Sequence, residues 1–163
     1  MPPRCTVRLA TPDDAADIAG LLRDAFDVYR PLYTSEAFTA TAPPAERIRA
    51  RWSDGPVWMA LQDGRAVGTV SAVPRGPQLY MRSMAVHPAS RGGGCGRLLL
   101  AAVEEYAAQH GHSRVVLSTT PFLDPAIRFY ERAGFARSAE GPHDLAGTPL
   151  FTMEKVLPSG AAP

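Results

Sequence analysis

RGGGCGRLLL, Arg91 to Leu100, puts four glycines into five positions between two arginines and then turns abruptly apolar. Glycine costs about 1 kcal/mol against alanine inside a helix, so bare backbone at this point needs a reason. The apolar run that follows marks a helix reaching about Gln109 and stopping at Gly111. A helix start leaves its first N–H groups unpaired and carries the positive end of the dipole. Glycines let an anion approach that backbone closely, and Arg91 and Arg97 add charge nearby. The stretch reads as a phosphate-binding helix start, with a glycine-capped surface turn as the alternative.

Two familiar nucleotide signatures fail here. A Walker A loop needs Gly-Lys-Ser/Thr, whereas Gly96 is followed by Arg97 and Leu98. The dinucleotide fingerprint G-x-G-x-x-G, started at Gly92, would demand glycine at Arg97.

Outward from the glycines, the chain alternates strand and helix signals without a repeating unit. CTVRLA from Cys5 is an alternating strand. Thr11 then serves as N-cap, Pro12 as first helical residue, and Asp13 and Asp14 fill the first turn. Ile18, Leu21, Leu22, Ala25 and Phe26 follow at helical spacing. Val28 to Thr41 reads as an aromatic loop, and Pro44 to Trp52 as a short helix. VWMAL and AVGTVSAV form a hairpin about Asp63-Gly64, with two or four residues joining the strands. LYMRSMAV is a third strand of that section, ended by His87-Pro88. After the glycine-led helix come the strand RVVLST, a helix capped by Asp124, and strands near FARSA and LFTMEKV. The expected order is β-α-α-β-β-β-α-β-α-β-β: a mixed α/β (α+β) class with a mostly antiparallel sheet of about seven strands and about four helices. One domain is expected over 1–157, followed by a flexible tail, 158–163.

Arg91, Gly94 and Gly96 together spell Arg-x-x-Gly-x-Gly. With MAVHP before it and AIRFYERAGF after it, the chain resembles the GNAT superfamily of N-acetyltransferases, motif by motif and in the family order. The resemblance implies acetyl-CoA as co-substrate. It implies that the backbone of Met84, Ala85 and Val86 pairs with the pantetheine arm. It also implies that Arg91, Gly92, Gly93, Gly94, Cys95, Gly96 and Arg97 hold the pyrophosphate, and that Tyr130 lies by the thioester sulfur. From spacing alone, Tyr130 reads better as a core aromatic beside Ile127 and Ala133.

Acetyl transfer to an amine needs an acid for the leaving thiolate, and a phenol with a reference pKa of about 10 suits it. Tyr130 is the expected general acid. The general base is unassigned: Ser118 and Leu123 stand where family members carry glutamate or asparagine. Asp124 reads first as a helix cap, and His87 as a surface histidine. Tyr29, Tyr33, Phe38 and Glu36 could form an aromatic pocket with one carboxylate for an ammonium, or a lid packed on itself. The expected acceptor is a primary amine of a small molecule. The alternatives are protein amino groups, or a non-catalytic acetyl-CoA sensor.

Composition narrows the rest. The 163 residues carry a formal net charge of +1, 45% hydrophobic and 20% charged residues, so neither nucleic acid nor membrane is an expected partner. A homodimer is the expected alternative to a monomer. Cys5 and Cys95 make no disulfide framework, which suits a reducing compartment, the cytoplasm. Cys95 reads as a small buried hydrophobe. Scattered histidines and two lone cysteines imply no metal site.

Overall fold

The computed structural model describes residues 4–158. Strand β1 (Cys5–Leu9) leads through a 3-10 turn, Pro12–Asp14, into α1 (Ala15–Phe26). Asp14 fixes that entry. Its carboxylate accepts from the Thr11 N–H at 2.8 Å and takes two bonds from the Arg8 guanidinium at 2.8 and 3.0 Å. The Arg8 guanidinium holds this carboxyl below the usual carboxylate range. One face of α1, including Ile18, Leu22 and Ala25, is buried.

The expected loop at Val28–Thr41 is ordered instead. It holds a 3-10 segment (Asp27–Leu32) and a helix, α2 (Ser35–Thr41). Thr34 is the reason: its hydroxyl accepts from the Ala37 N–H at 3.1 Å and donates to the Ala146 carbonyl at 2.7 Å. A seven-residue helix has too few turns to show a period, so the aromatic content hid it. Helix α3 (Ala45–Ala50) follows, with Ile48 buried.

Strands β2 (Val57–Gln62) and β3 (Arg65–Arg75) are joined by Asp63 and Gly64 alone, at φ +51° and +76°. Two successive left-handed residues give the tight turn that matches strand twist. Strand β4 (Gln78–Val86) completes the meander. Then come α4 (Cys95–Gln109), β5 (Arg114–Thr119), α5 (Asp124–Arg132), β6 (Ala136–Arg137), β7 (His143–Leu145) and β8 (Thr148–Val156). The sheet order is β1-β2-β3-β4-β5-β8-β6, with β7 paired to β8. Every neighbouring pair is antiparallel except β4 with β5.

The described residues therefore form a mixed α/β fold of eight strands and five α-helices, one more of each than expected. The extra strand is β7, which turns into β8 through Ala146 and Gly147 at φ +47° and +93°. Nothing in DLAGTP carries the usual Asn-Gly signal for such a turn. The expected tail lies outside the described residues apart from Pro158.

Helices cover both faces. Leu99, Leu100 and Val103 of α4 and Tyr130 of α5 pack on Val70, Leu79, Met81, Leu117 and Met153. Ile18, Leu22 and Ile48 of α1 and α3 pack on Met59 and Ala85 from the other side. Among the described residues no helix is long and apolar enough to cross a membrane.

Two expectations are corrected. Asp124 is the first residue inside α5, and Leu123 holds the cap position. Cys5 and Cys95 do not stand alone. They open β1 and α4, elements packed together, their Cα atoms lie 5.7 Å apart, and their sulfurs are joined in a disulfide. A separation of 90 residues made that contact invisible in sequence. With the sulfurs joined, cysteine usage no longer argues for a reducing compartment.

Candidate functional site

Strands β4 and β5 pair over three residues only, Gln78 to Tyr80 against Arg114 to Val116. The cause lies in β4 itself. Against β3, Ser71 faces Arg82 and Thr69 faces Ala85, so Ser83 and Met84 together oppose Val70. This is a β-bulge, and Ser83 takes the extra residue at φ +55°. The bulge bends β4 and breaks its alternation: Met81 and Met84, three apart, pack toward the same core. Past Tyr80 the strands separate, and the β4 edge toward β5 has no strand partner. An open strand edge is a template for an extended ligand.

The gap is a cleft of about 240 Å³. Arg51 borders it from the C-cap of α3, and Arg82, Ser83 and Met84 from β4; Ser118 and Thr119 from the end of β5, with Thr120 just past it; Leu123, Ala126 and Tyr130 from the α5 side. Tyr130 is thus both core and cleft. Its ring is 8% exposed and packs against Phe129 and Phe135 at centroid distances of 5.6 and 5.7 Å. No hydrogen bond among the described residues engages its hydroxyl. Burial pushes its pKa well above the ordinary phenol value, so it is neutral across the physiological range.

Beside the cleft, α4 begins with its glycines. Gly92 and Gly94 have φ of +85° and +86°, conformations that side chains other than glycine adopt with strain. A Cβ on Gly93 would meet the Gln62 amide nitrogen at 2.9 Å, and one on Gly96 would meet the Phe129 ring at 3.4 Å. The N–H groups of Gly92 through Arg97 donate to no carbonyl among the described residues. Six free amides, three of them on the first turn of a 15-residue helix, with Arg91 and Arg97 exposed nearby, fit a pyrophosphate.

The expected residues do not all meet in one place. Met84 and Tyr130 border the cleft, as do Ser118 and Leu123. Ala85 turns to the opposite face against α1, and Val86 packs toward α4. The Cys95 side chain is buried in its disulfide and only its backbone faces the loop. The aromatic set is a lid packed on itself. Tyr33 lies at centroid distances of 6.1 Å from Phe38 and 4.9 Å from Phe122, and Phe122 lies 6.1 Å from Tyr29. Of the four residues in that set only Tyr33 borders the cleft, and Glu36 is exposed on α2. His87 takes the Ala89 N–H on Nδ1 at 3.1 Å and faces Asp24 through Nε2 at 3.4 Å.

Sequence reading missed Arg51 and Arg82. Arg82 carried a signal, a charge in the middle of the apolar strand LYMRSMAV. Arg51 carried none.

The model of the acetyltransferase (GNAT) family matches residues 22–135, from within α1 to just past α5. The chain belongs to this family. Among curated proteins, a probable N-acetyltransferase family 8 member 5 from Mus musculus is 35% identical over 92 residues, 53% of this chain and 40% of that one. N-acetylaspartate synthetase from Homo sapiens is 34% identical over 103 residues, 61% of this chain and 34% of that protein. The chain thus spans well under half the length of these relatives. The PaiA N-acetyltransferase from Thermoplasma acidophilum, solved with coenzyme A, superposes with a TM-score of 0.79 at 18% identity, covering 94% of this chain and 99% of that one. A GCN5-related N-acetyltransferase from Rhodopseudomonas palustris gives 0.76 at 25% identity over 96% and 97%.

Proposed function

We propose that the protein is an acetyl-CoA-dependent N-acetyltransferase acting on a primary amine of a small molecule. The observation that carries this reading is the adjacency of the free amides at Gly92–Arg97 to a cleft bordered by a neutral, unengaged phenol. Acetyl-CoA supplies the activated acetyl thioester. The glycine loop holds the pyrophosphate, with Arg91 and Arg97 adding charge, and the Cys95 and Gly96 amides serve through backbone alone. The open β4 edge at Met84, Ala85 and Val86 receives the pantetheine arm, and its N–H groups steady negative charge on the carbonyl oxygen. Tyr130 gives its proton to the departing thiolate. A positioned acid of this kind contributes about 10²–10⁴-fold.

Among the described residues no aspartate, glutamate or histidine borders the cleft. Ser118 can hold a water that carries the amine proton to solvent, and no side chain of the chain acts as base. The same lack of an acid disfavours polyamines and basic peptide tails, whose extra ammonium groups would find no partner. It also favours the rival reading, a cofactor-binding module without transfer, against which the Tyr130 phenol stands.

Thermal unfolding and thiol release test the proposal together. At a hundred times its Kd, acetyl-CoA should add about 2.7 kcal/mol, or roughly 5–11 °C at about 2–4 °C per kcal/mol. ATP, which lacks the pantetheine arm, should add far less. Free thiol should then appear with one or more amines of a panel. An equal response to ATP refutes the cofactor reading, and a silent panel refutes the enzyme.

A further inference from the structure

Arg51, at the C-cap of α3, and Arg82, on β4, both border the cleft, and among the described residues a single carboxylate, Asp54, faces the two charges. Arg82 donates through its terminal nitrogen to Asp54 at 2.9 Å, yet its Nε is buried with no partner. Arg51 reaches only the Ser83 hydroxyl, at 3.3 Å, and pairs with no carboxylate. Burial and the neighbouring Arg82 charge both push the Arg51 pKa down, the strain expected of a half-buried guanidinium facing another. Among the described residues Asp54 is the one acid in contact with the pair, and Arg82 already holds it. Two guanidiniums against one carboxylate leave one positive charge over.

A partly buried charge without a counter-ion is costly unless a ligand completes it. Guanidinium forks match a carboxylate in geometry as well as charge. We propose that the acetyl acceptor is an amine bearing a carboxylate, as an amino acid does, with Arg51 and Arg82 holding that carboxylate beside Ser83 while the amino group reaches the Tyr130 side of the cleft. This rests on the acetyltransferase reading and narrows its substrate class. The charge count favours a monoanion: a phosphate ester would bring a second negative charge toward Asp54.

The test uses matched triples: an amino acid, its amide and its decarboxylated amine, for alanine, aspartate and phenylalanine side chains. Thiol release is followed with the parent, Arg51→Met, Arg51→Lys and Arg82→Met. Binding of the same compounds to the protein saturated with coenzyme A is followed by calorimetry. The parent should prefer at least one acid over its amide by about 100-fold or more in kcat/KM, the range for truncating one partner of a buried charge pair. Arg51→Met should abolish that preference through a raised KM for the acid, with Arg51→Lys between. Acetyl-CoA should still raise the melting point of Arg51→Met, which separates loss of the acceptor site from loss of the fold. If amides or plain amines serve as well as acids, if Arg51→Met keeps the preference, or if no acid is either acetylated or bound, the proposal is overturned. Arginine-dependent binding of an acid without thiol release would uphold the carboxylate site while removing the acetyltransferase reading.

Discussion

Replacing Gly94 by aspartate separates the fold's need for glycine from the ligand's. Gly94 caps α4 at φ +86° and ψ 0°, and a Cβ there meets nothing within 4 Å. The only structural cost is therefore the left-handed backbone, about 1–2 kcal/mol for an ordinary residue and less for aspartate. A carboxylate at a helix N-terminus returns about 0.3–1 kcal/mol. The net loss is about 1 kcal/mol or less, a melting shift of roughly 2–4 °C at most. Ligand binding should respond on another scale. Two unit charges 4 Å apart at an effective dielectric of 20 repel by about 4 kcal/mol, close to a thousandfold in Kd at about 1.4 kcal/mol per factor of ten. Calorimetric titration of acetyl-CoA against Gly94→Asp, with circular dichroism as the check on folding, reads both numbers. Gly94→Ala, which adds strain without charge, should keep most of the affinity. A folded Gly94→Asp that binds as tightly as the parent would refute the pyrophosphate cradle.

Tyr130→Phe keeps the ring against Phe129 and Phe135, so acetyl-CoA affinity should hold while kcat falls by up to about 10²–10⁴-fold. Unchanged turnover would make Tyr130 packing alone. The same variant should flatten the alkaline loss of stability. Burial raises the folded phenol above its unfolded value of about 10, so its contribution is complete below that pH and is lost as pH rises beyond it, with buried Tyr33 acting in the same direction. Finally, the Cys5–Cys95 bond closes a long loop, and such bonds contribute about 2–4 kcal/mol. A reductant or Cys5→Ser should lower the melting point by about 4–16 °C at this chain length, and titration of the unreduced, denatured protein should find no free thiol. Two free thiols would refute the bond.

The parts of the fold that were legible in the sequence are those written locally. The Asp63-Gly64 turn, the Pro12 entry to α1 and the glycines before α4 each declare a backbone conformation within a few residues. Their elements fall where they were expected. The parts that were not legible depend on partners far away in the chain. Thr34 makes a helix cap, but its hydroxyl also reaches Ala146, and neither α2 nor the β7–β8 turn is declared by its own residues. Cys95 has the burial of a small hydrophobe, and only the packing of α4 on β1 reveals Cys5 beside it. The site divides the same way. Its proposed cofactor half rests on consecutive backbone, Gly92 to Arg97, which a local glycine pattern declares. Its other half, Arg51 with Arg82, joins α3 to β4 through a bulge that serine, not glycine, occupies, and no local pattern announces it.

The arginine pair also bears on the missing base. An isolated alkyl ammonium has a pKa of about 10.4, whereas an α-amino group in a peptide lies near 7.7–8.0. In a free amino acid the neighbouring carboxylate stabilises the ammonium and raises that value, since an opposite charge favours the charged form. Pairing the carboxylate with Arg51 and Arg82 cancels this effect, and the remaining guanidinium charge opposes the ammonium directly. On the proposed reading, the groups that would bind one end of the acceptor would also release the proton at the other, into a cleft open to water. A site built this way has no need of glutamate at Ser118 or asparagine at Leu123. A carboxylate added at Ser118 would work against it, drawing the ammonium into a stable pair and competing with the acceptor for the arginines. On the proposed reading, the absence of an acid from the cleft among the described residues and the excess of guanidinium beside it belong together, and the acceptor's own ionisation would supply what the side chains leave out.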